Sequence, residues 1–322
     1  VTFVEGEYLN LPGFYTKLFL LASGAHTIEK QAGAMSKITD YAQFIKLRLA
    51  SLVVFSAVIS YFIGVRMNNI SADWIRLTAL IVGGFLVTGS SNGFNQVIER
   101  ETDKLMTRTQ KRPLPQGRMS VMEGMILASV MGIVGIAILA VYTNYLCGIL
   151  GASALLLYTL LYTPSKRVTP FATFIGAFPG AIPPMLGVVA ASPGFGSIDT
   201  TALLMFATQF MWQFPHFWAI AWVSHDDYLK AGFNLLPSKY GRDKASAFQV
   251  VTYTLVLVPV SLFPILFHVS GTISALIILA CGILFLLQAF RLYRTCDVKD
   301  ASRLMFGSFI YLPVVQLAYL FA

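Results

Sequence analysis

Asn95, Glu99 and Asp103 stand four residues apart. On a helix that spacing puts all three side chains on one face. Thr88 and Asn92 extend the face backwards into an apolar stretch. Arg100, Lys104 and Arg108 form a cationic stripe beside it, and Lys111 and Arg112 follow. Carboxylate and amide oxygens with cations alongside suit a divalent metal ion holding a phosphorylated substrate. The same spacing also describes a solvated, salt-bridged helix, so the rest of the chain has to decide.

Of the 322 residues, 56% are hydrophobic and only 12% are charged, against roughly a quarter charged in soluble domains. The expectation is an all-α polytopic membrane protein. Its net charge of +8 then reads as topology, and no nucleic-acid partner is expected. The three cysteines form no CxxC pair, which argues against a disulfide framework or a zinc site.

Nine stretches qualify as spans, near residues 49–65, 75–95, 121–142, 146–163, 171–191, 200–222, 246–266, 271–290 and 304–321. With the N-terminus in the cytoplasm and the C-terminus outside, only Arg66 and Arg76 of the 23 basic residues fall outside, as the positive-inside rule requires. Residues 37–322 are therefore expected to form one nine-helix transmembrane domain surrounded by membrane lipid. Residues 1–36 are weakly patterned and read as an N-terminal extension, residues 1 to about 34 arising from start-site choice. Trp74 fits an outer interfacial anchor, and Trp218 and Trp222 inner ones.

A second polar loop mirrors the first. Gln209, Gln213 and His216 line one stripe of the sixth span, and Ser224 and Asp227 continue it at helical spacing. Both loops then reach a Leu-Pro and a Gly-Arg: Leu114-Pro115 with Gly117-Arg118, and Leu236-Pro237 with Gly241-Arg242. This weak repeat suggests two helix–loop units facing each other across a shared cavity. Lys166 and Arg167 stand at the same face, ahead of a fifth span rich in Gly and Pro (Gly176 to Gly187). Small residues let helices approach closely, and prolines interrupt a helix beside a cavity.

Acidic clusters, basic residues and an apolar cavity together suit a diphosphate ester with a long hydrocarbon tail. Mg²⁺ and Lys/Arg would stabilise the leaving diphosphate, and an apolar, aromatic-walled cavity would shield the allylic cation from water. No GxxxxGK[ST] pattern occurs, so ATP-driven work is not expected.

The residues resemble a family. Asn95-x3-Glu99-x3-Asp103 looks like the first Asn/Asp-rich motif of the UbiA-type intramembrane prenyltransferase superfamily. The stretch Asp103-x-x-Met106-x-Arg108-Thr109-x-x-Arg112-Pro113-Leu114-x-x-Gly117-Arg118 is similar to one branch, the haem O synthases (protohaem IX farnesyltransferases). Trp212-Gln213-x-Pro215-His216-Phe217 resembles that branch too, as do Asp227-Tyr228-x-x-Ala231-Gly232-x-x-Leu235-Leu236-Pro237 and Lys166-Arg167-x-Thr169. The resemblance covers roughly residues 37–320. It implies farnesyl transfer from farnesyl diphosphate to a vinyl group of haem B, with addition of water, giving haem O. It also implies a nine-helix bundle with a central apolar cavity open toward the cytoplasmic side, Mg²⁺ as cofactor, a bacterial cytoplasmic (inner) membrane, and a haem A synthase or terminal oxidase assembly factors as partners.

Under that resemblance Asn95, Glu99 and Asp103 bind Mg²⁺–diphosphate, and Asp227 completes a second metal cluster with Asp226 as an addition. Arg108, Arg112, Lys166 and Arg167 contact diphosphate or a haem propionate, with Lys46 and Arg48 doing likewise. Asn92, Gln213 and His216 line the substrate pocket; whether His216 meets the haem iron or acts as a base stays open at this point. Three departures stand out. Glu99 replaces a more usual Asp, Asp226 and Asp227 are adjacent where two Asp spaced by three are usual, and Lys46-Leu47-Arg48 lacks a central Pro. The alternatives are a relative acting on a quinone-type or chlorin ring, and a non-catalytic transporter. A transporter's polar stripes should continue to the outer face, whereas these cluster toward the inner side.

Overall fold

The computed structural model describes residues 36–238 and 240–321. The extension expected over residues 1 to about 34 lies outside them. The chain divides into two compact units, 1–43 and 44–322. In the first, the described residues are helical.

The second unit holds α1 (Leu47–Met67), α2 (Trp74–Asp103), α3 (Val121–Tyr142) and α4 (Tyr145–Leu156). A π-helical stretch, Leu157–Tyr162, prolongs α4. Then come α5 (Ala172–Ala190), α6 (Thr200–Val223), the short α7 (His225–Lys230), α8 (Lys244–Leu266), α9 (Thr272–Thr295) and α10 (Val298–Leu320). Among the described residues, eight helices are long and apolar enough to cross a membrane. The expected sixth span is not one of the eight. It forms α6, a helix of 24 residues, but Gln209, Gln213 and His216 along its length keep it from being as apolar as the others. Those side chains are buried inside the protein, so α6 does not present them to lipid.

Helix starts follow local chemistry. The Asp73 carboxylate accepts the backbone N–H groups of Ile75 and Arg76 and starts α2. Ser120 and Glu123 form a reciprocal capping box at α3. Asn144, Asp199, Asp243 and Asp297 cap α4, α6, α8 and α10. The two basic residues expected on the far side close helix ends there. Arg66 donates to the carbonyls of Leu320 and Val269, and Arg76 donates to that of Ser192 at 2.8 Å. Leu320 ends α10, whereas Ser192 and Val269 lie just past the ends of α5 and α8, in the stretches where carbonyls have no intrahelical partner.

Helices α2 and α3 pack on each other, as do α1 on α5 and α5 on α6. Gly187 on α5 lets α1 approach closely: a Cβ there would lie 2.1 Å from the Ala57 carbonyl oxygen. In the interior, Gln316 donates to Ser56 at 2.6 Å and Tyr311 pairs with Ser261 at 2.9 Å, the polar contacts that hold helices together where water is absent. Trp74 is exposed, whereas Trp218 and Trp222 are buried, so the interfacial-anchor expectation fails for the latter two. Trp218 instead packs edge-on to Tyr253: on α6 an indole faces neighbouring helices, not a lipid boundary.

Candidate active site

Helix α2 does not stop where its apolar run ends. It continues for 30 residues to Asp103, and so holds Asn92, Asn95, Glu99 and Asp103 on one rigid face. That face docks on the residues preceding α1. The side-chain amides of Asn92 and Gln96 donate to the carbonyls of Ile45 (3.1 Å) and Phe44 (2.8 Å). Lys46 follows in the left-handed region, φ 52°, a conformation disfavoured for a residue with a Cβ. Its ammonium is thereby held 3.1 Å from Oδ1 of Asn95.

The Asn95 amide is oriented by Thr163. The Thr163 hydroxyl donates to the Tyr158 carbonyl at 2.9 Å, so its single hydrogen is spent and it can only accept from Asn95 Nδ2, 3.4 Å away. Oδ1 of Asn95 is thus turned toward the cations. Glu99 accepts from Lys166 Nζ at 2.8 Å, and this ammonium also lies 4.7 Å from the Tyr162 ring centre. Asp103 is fully buried. Its Oδ2 accepts from Arg112 at 2.7 Å, while its Oδ1 has no hydrogen-bond partner among the described residues.

A buried carboxylate oxygen without a partner is costly. It marks where a cation or a water belongs. Beside it, two lysine ammonium groups sit on the oxygens of Asn95 and Glu99. Two carboxylates and an amide oxygen fit a hard divalent cation that keeps waters and phosphate oxygens for its remaining positions. Among the described residues no three His, Cys, Asp or Glu gather round one point, so no closed all-protein metal cage is formed.

These groups line a pocket of about 470 Å³. Apolar side chains of α1 and α5, including Leu52, Val53 and Ile182, form much of its wall. Aromatic and polar groups of α6, among them Trp212, Gln213 and His216, complete it. Gln213 donates to the Ala177 carbonyl at 2.9 Å. It lies so close to Gly180 that a Cβ there would come within 2.0 Å of Gln213 Oε1.

The UbiA prenyltransferase family matches residues 53–312. The chain belongs to that family. It is 49% identical to a protoheme IX farnesyltransferase of Cytophaga hutchinsonii over 88% of this chain and 97% of that one. It is 34% identical to the Gloeobacter violaceus protoheme IX farnesyltransferase, over 93% and 95% of the two chains. Two solved structures share the fold. One, from work on digeranylgeranylglyceryl phosphate synthase, has a TM-score of 0.73 at 21% identity, covering 89% of this chain and 98% of its own. The other is a UbiA homologue from Archaeoglobus fulgidus bound to GPP and Mg²⁺, with a TM-score of 0.63 at 14% identity, covering 88% of this chain and all of its own.

In this UbiA prenyltransferase the pocket gathers Lys46, Asn92, Asn95, Glu99, Asp103, Arg108, Arg112, Lys166, Gln213 and His216. Arg48, Arg167, Asp226 and Asp227 are not among its lining residues. Arg48 and Arg167 are exposed, and Arg167 points to Thr102 Oγ1 at 3.4 Å. Asp226, 77% exposed, pairs with Arg242 at 3.1 Å. Arg242 in turn donates to the Trp222 carbonyl near the end of α6.

Asp227 is engaged with the first loop. Its two carboxylate oxygens accept the backbone N–H groups of Thr107 and Arg108, each at 3.0 Å, and Lys230 adds a contact at 3.1 Å. Burial alone would raise the Asp227 pKa. The two amides and the ammonium outweigh burial and hold the carboxyl well below its usual range. The two polar loops therefore do meet, through a carboxylate clamping the other's backbone. Sequence reasoning did not single out Tyr158, Tyr162, Thr163 or Ser308, and named Tyr228 only as part of a motif, with no role. The first two are four residues apart just before Lys166, a spacing that was legible; the others depend on long-range contacts.

Proposed function

We propose that this chain transfers the farnesyl group of farnesyl diphosphate to a vinyl group of haem B, with addition of water, and so makes haem O. It is a prenyltransferase, and its close relatives are protoheme IX farnesyltransferases. One observation carries the site reading: an acid–amide cluster topped by lysine and arginine at one end of an apolar pocket, with an aromatic, histidine-bearing wall along α6.

Asn95, Glu99 and Asp103 would hold Mg²⁺ and the diphosphate it carries; the metal supplies charge neutralisation of the leaving group. Lys46, Lys166 and Arg112 already sit on those oxygens, poised to pass to diphosphate oxygens as these arrive. Arg108, held over the Tyr228 ring at 5.7 Å, faces the same charge. As the C1–O bond breaks, its electron pair leaves with the diphosphate. The vinyl π pair forms the new C–C bond to farnesyl C1. The cation left beside the porphyrin ring takes up water, and one proton is released to the diphosphate. Tyr158, Tyr162 and the apolar wall keep other water from the allylic cation. Asp227 is given no metal ligand role in this scheme, because both of its oxygens are engaged by backbone N–H groups; it acts through the turn that carries Arg108.

The architecture we propose has nine spans, α6 joining the eight more apolar helices as the sixth in order, with the N-terminus and the pocket mouth on the cytoplasmic side of a bacterial inner membrane. The distribution of basic residues supports that orientation. Haem A synthase or terminal oxidase assembly factors would receive the product.

Incubation of the purified protein in detergent with farnesyl diphosphate, Mg²⁺ and haem B tests the reading. Mass spectrometry should find haem heavier by farnesyl plus hydroxyl. No such product, together with prenylation of a quinone precursor, would overturn the acceptor assignment.

A further inference from the structure

Ser308, on α10, meets α6 twice. Its backbone carbonyl accepts the indole N–H of Trp212 at 2.9 Å. Its hydroxyl oxygen lies 2.7 Å from Nδ1 of His216 and 2.5 Å from the Met305 carbonyl oxygen. A serine hydroxyl has one hydrogen, and a carbonyl can only accept. The hydrogen is therefore spent on Met305. The serine oxygen faces His216 as an acceptor, and Nδ1 of His216 carries the imidazole proton. Nε2 is left as the unprotonated nitrogen, with its lone pair available.

The ring is fixed from several sides. It stacks on Trp212 (centroids 4.2 Å apart, planes at 16°) and meets Phe309 edge-on at 4.9 Å. His216 lines the pocket, and Nε2 has no protein hydrogen-bond partner among the described residues. A neutral imidazole with Nδ1–H tied to an oxygen and Nε2 opening on a cavity is the arrangement of a metal-ligating histidine. Yet no second His, Cys, Asp or Glu joins it to make a metal cage among the described residues. A metal meeting this nitrogen has to bring its other ligands with it. A metalloporphyrin does so, presenting four in-plane nitrogens and an open axial position.

We propose that Nε2 of His216 binds the iron of the porphyrin acceptor. His216 is then a substrate-positioning residue: one bond from α6 to the centre of the macrocycle fixes how far its vinyl edge reaches toward the diphosphate cluster. Ser308 sets the tautomer that makes the bond available. The inference rests on the acceptor being haem.

Binding of haem B and of iron-free protoporphyrin IX to the full-length protein, without prenyl diphosphate or Mg²⁺, provides the test. Wild-type protein should bind haem at least about tenfold more tightly than protoporphyrin, and its ferrous complex should show an iron–imidazole stretch in resonance Raman. His216→Gly should lose that band and the preference, while binding protoporphyrin as wild type does. Added imidazole should restore the band, which also reports that the variant is folded. Ser308→Ala should keep the band and weaken haem binding by about tenfold, as is usual for the loss of an outer partner of a metal-bound histidine. Absence of the band in wild-type protein, or a band and preference unchanged in His216→Gly, overturns the proposal alone. Failure of wild type to bind haem while it prenylates a quinone precursor overturns the acceptor reading beneath it as well.

Discussion

Asp227 accepts the backbone N–H of Arg108 at 3.0 Å, across 119 residues of chain. With the Thr107 amide on its other oxygen, it fixes the turn that carries Arg108 and lies just ahead of Arg112. Asp227→Ala should free both amides. Hydrogen bonds to a charged group contribute about 2 kcal/mol each, so exchange at Thr107 and Arg108 should speed up markedly, and kcat/KM for the prenyl diphosphate should fall. Unchanged exchange at these two amides would refute the clamp.

The same carboxylate predicts a pH dependence. Its folded pKa is depressed, so its stabilising contribution is fully present above the unfolded carboxyl's pKa of about 3.9 and is lost as pH falls through the lower folded value. Protection of the Arg108 amide should therefore be level from neutral pH down to about pH 5 and disappear only below about 3.9. Loss of protection near pH 6 would mean that another group holds the turn.

Asp103 offers a sharper test of the metal reading. Its free Oδ1 and complete burial predict that Asp103→Asn folds but loses Mg²⁺-dependent binding of prenyl diphosphate, with turnover down by on the order of a hundredfold. Equilibrium binding with and without Mg²⁺ separates this from a folding defect.

Glu99 and Lys166 form a pair in which both side chains are largely buried. Removing one member of such a pair typically costs about 3–5 kcal/mol, whereas replacing both by apolar groups costs far less. Lys166→Met should therefore be less thermostable than the Lys166→Met, Glu99→Leu double variant, although both should be inactive. Additive losses in a thermal-shift cycle would contradict the pairing.

Two glycines on one helix should respond differently to alanine. At Gly187 the added Cβ meets the Ala57 carbonyl, which is backbone, whereas at Gly180 it meets the tip of the Gln213 side chain. Gly187→Ala should destabilise by about 1–3 kcal/mol through separation of α1 and α5. Gly180→Ala should leave stability closer to wild type and raise the KM for the acceptor, since Gln213 has to leave its place on the pocket wall. Thermal shift and acceptor titration distinguish the two.

The acid–amide face was legible because helical spacing is a local property: Asn95, Glu99 and Asp103 lie on one uninterrupted helix, so their separation in sequence is their separation in space. The spans were legible for the same reason, through continuous apolar runs. The partners of the second loop were not. Adjacent Asp226 and Asp227 look equivalent in sequence, yet one turns out to pair with Arg242 and the other to clamp a distant backbone, a difference set by where α7 comes to rest. Trp218 and Trp222 misled because position near a span end does not reveal which side of a helix faces protein. The tautomer of His216 depends on Ser308, 92 residues away, and no local pattern encodes it.

The length of α2 has a further consequence. Thirty residues measure about 45 Å at 1.5 Å per residue, against a hydrocarbon layer of about 30 Å. Tilts of up to about 40° do not absorb the difference. Part of α2 must therefore lie outside the hydrocarbon layer, and the charges of Glu99, Arg100, Glu101 and Asp103 favour its final turns for that place. An amphiphilic donor already dissolved in the bilayer has its charged end at the same depth. Such a donor would meet the cluster without first being lifted into water, and its supply would then be set by its two-dimensional concentration in the membrane.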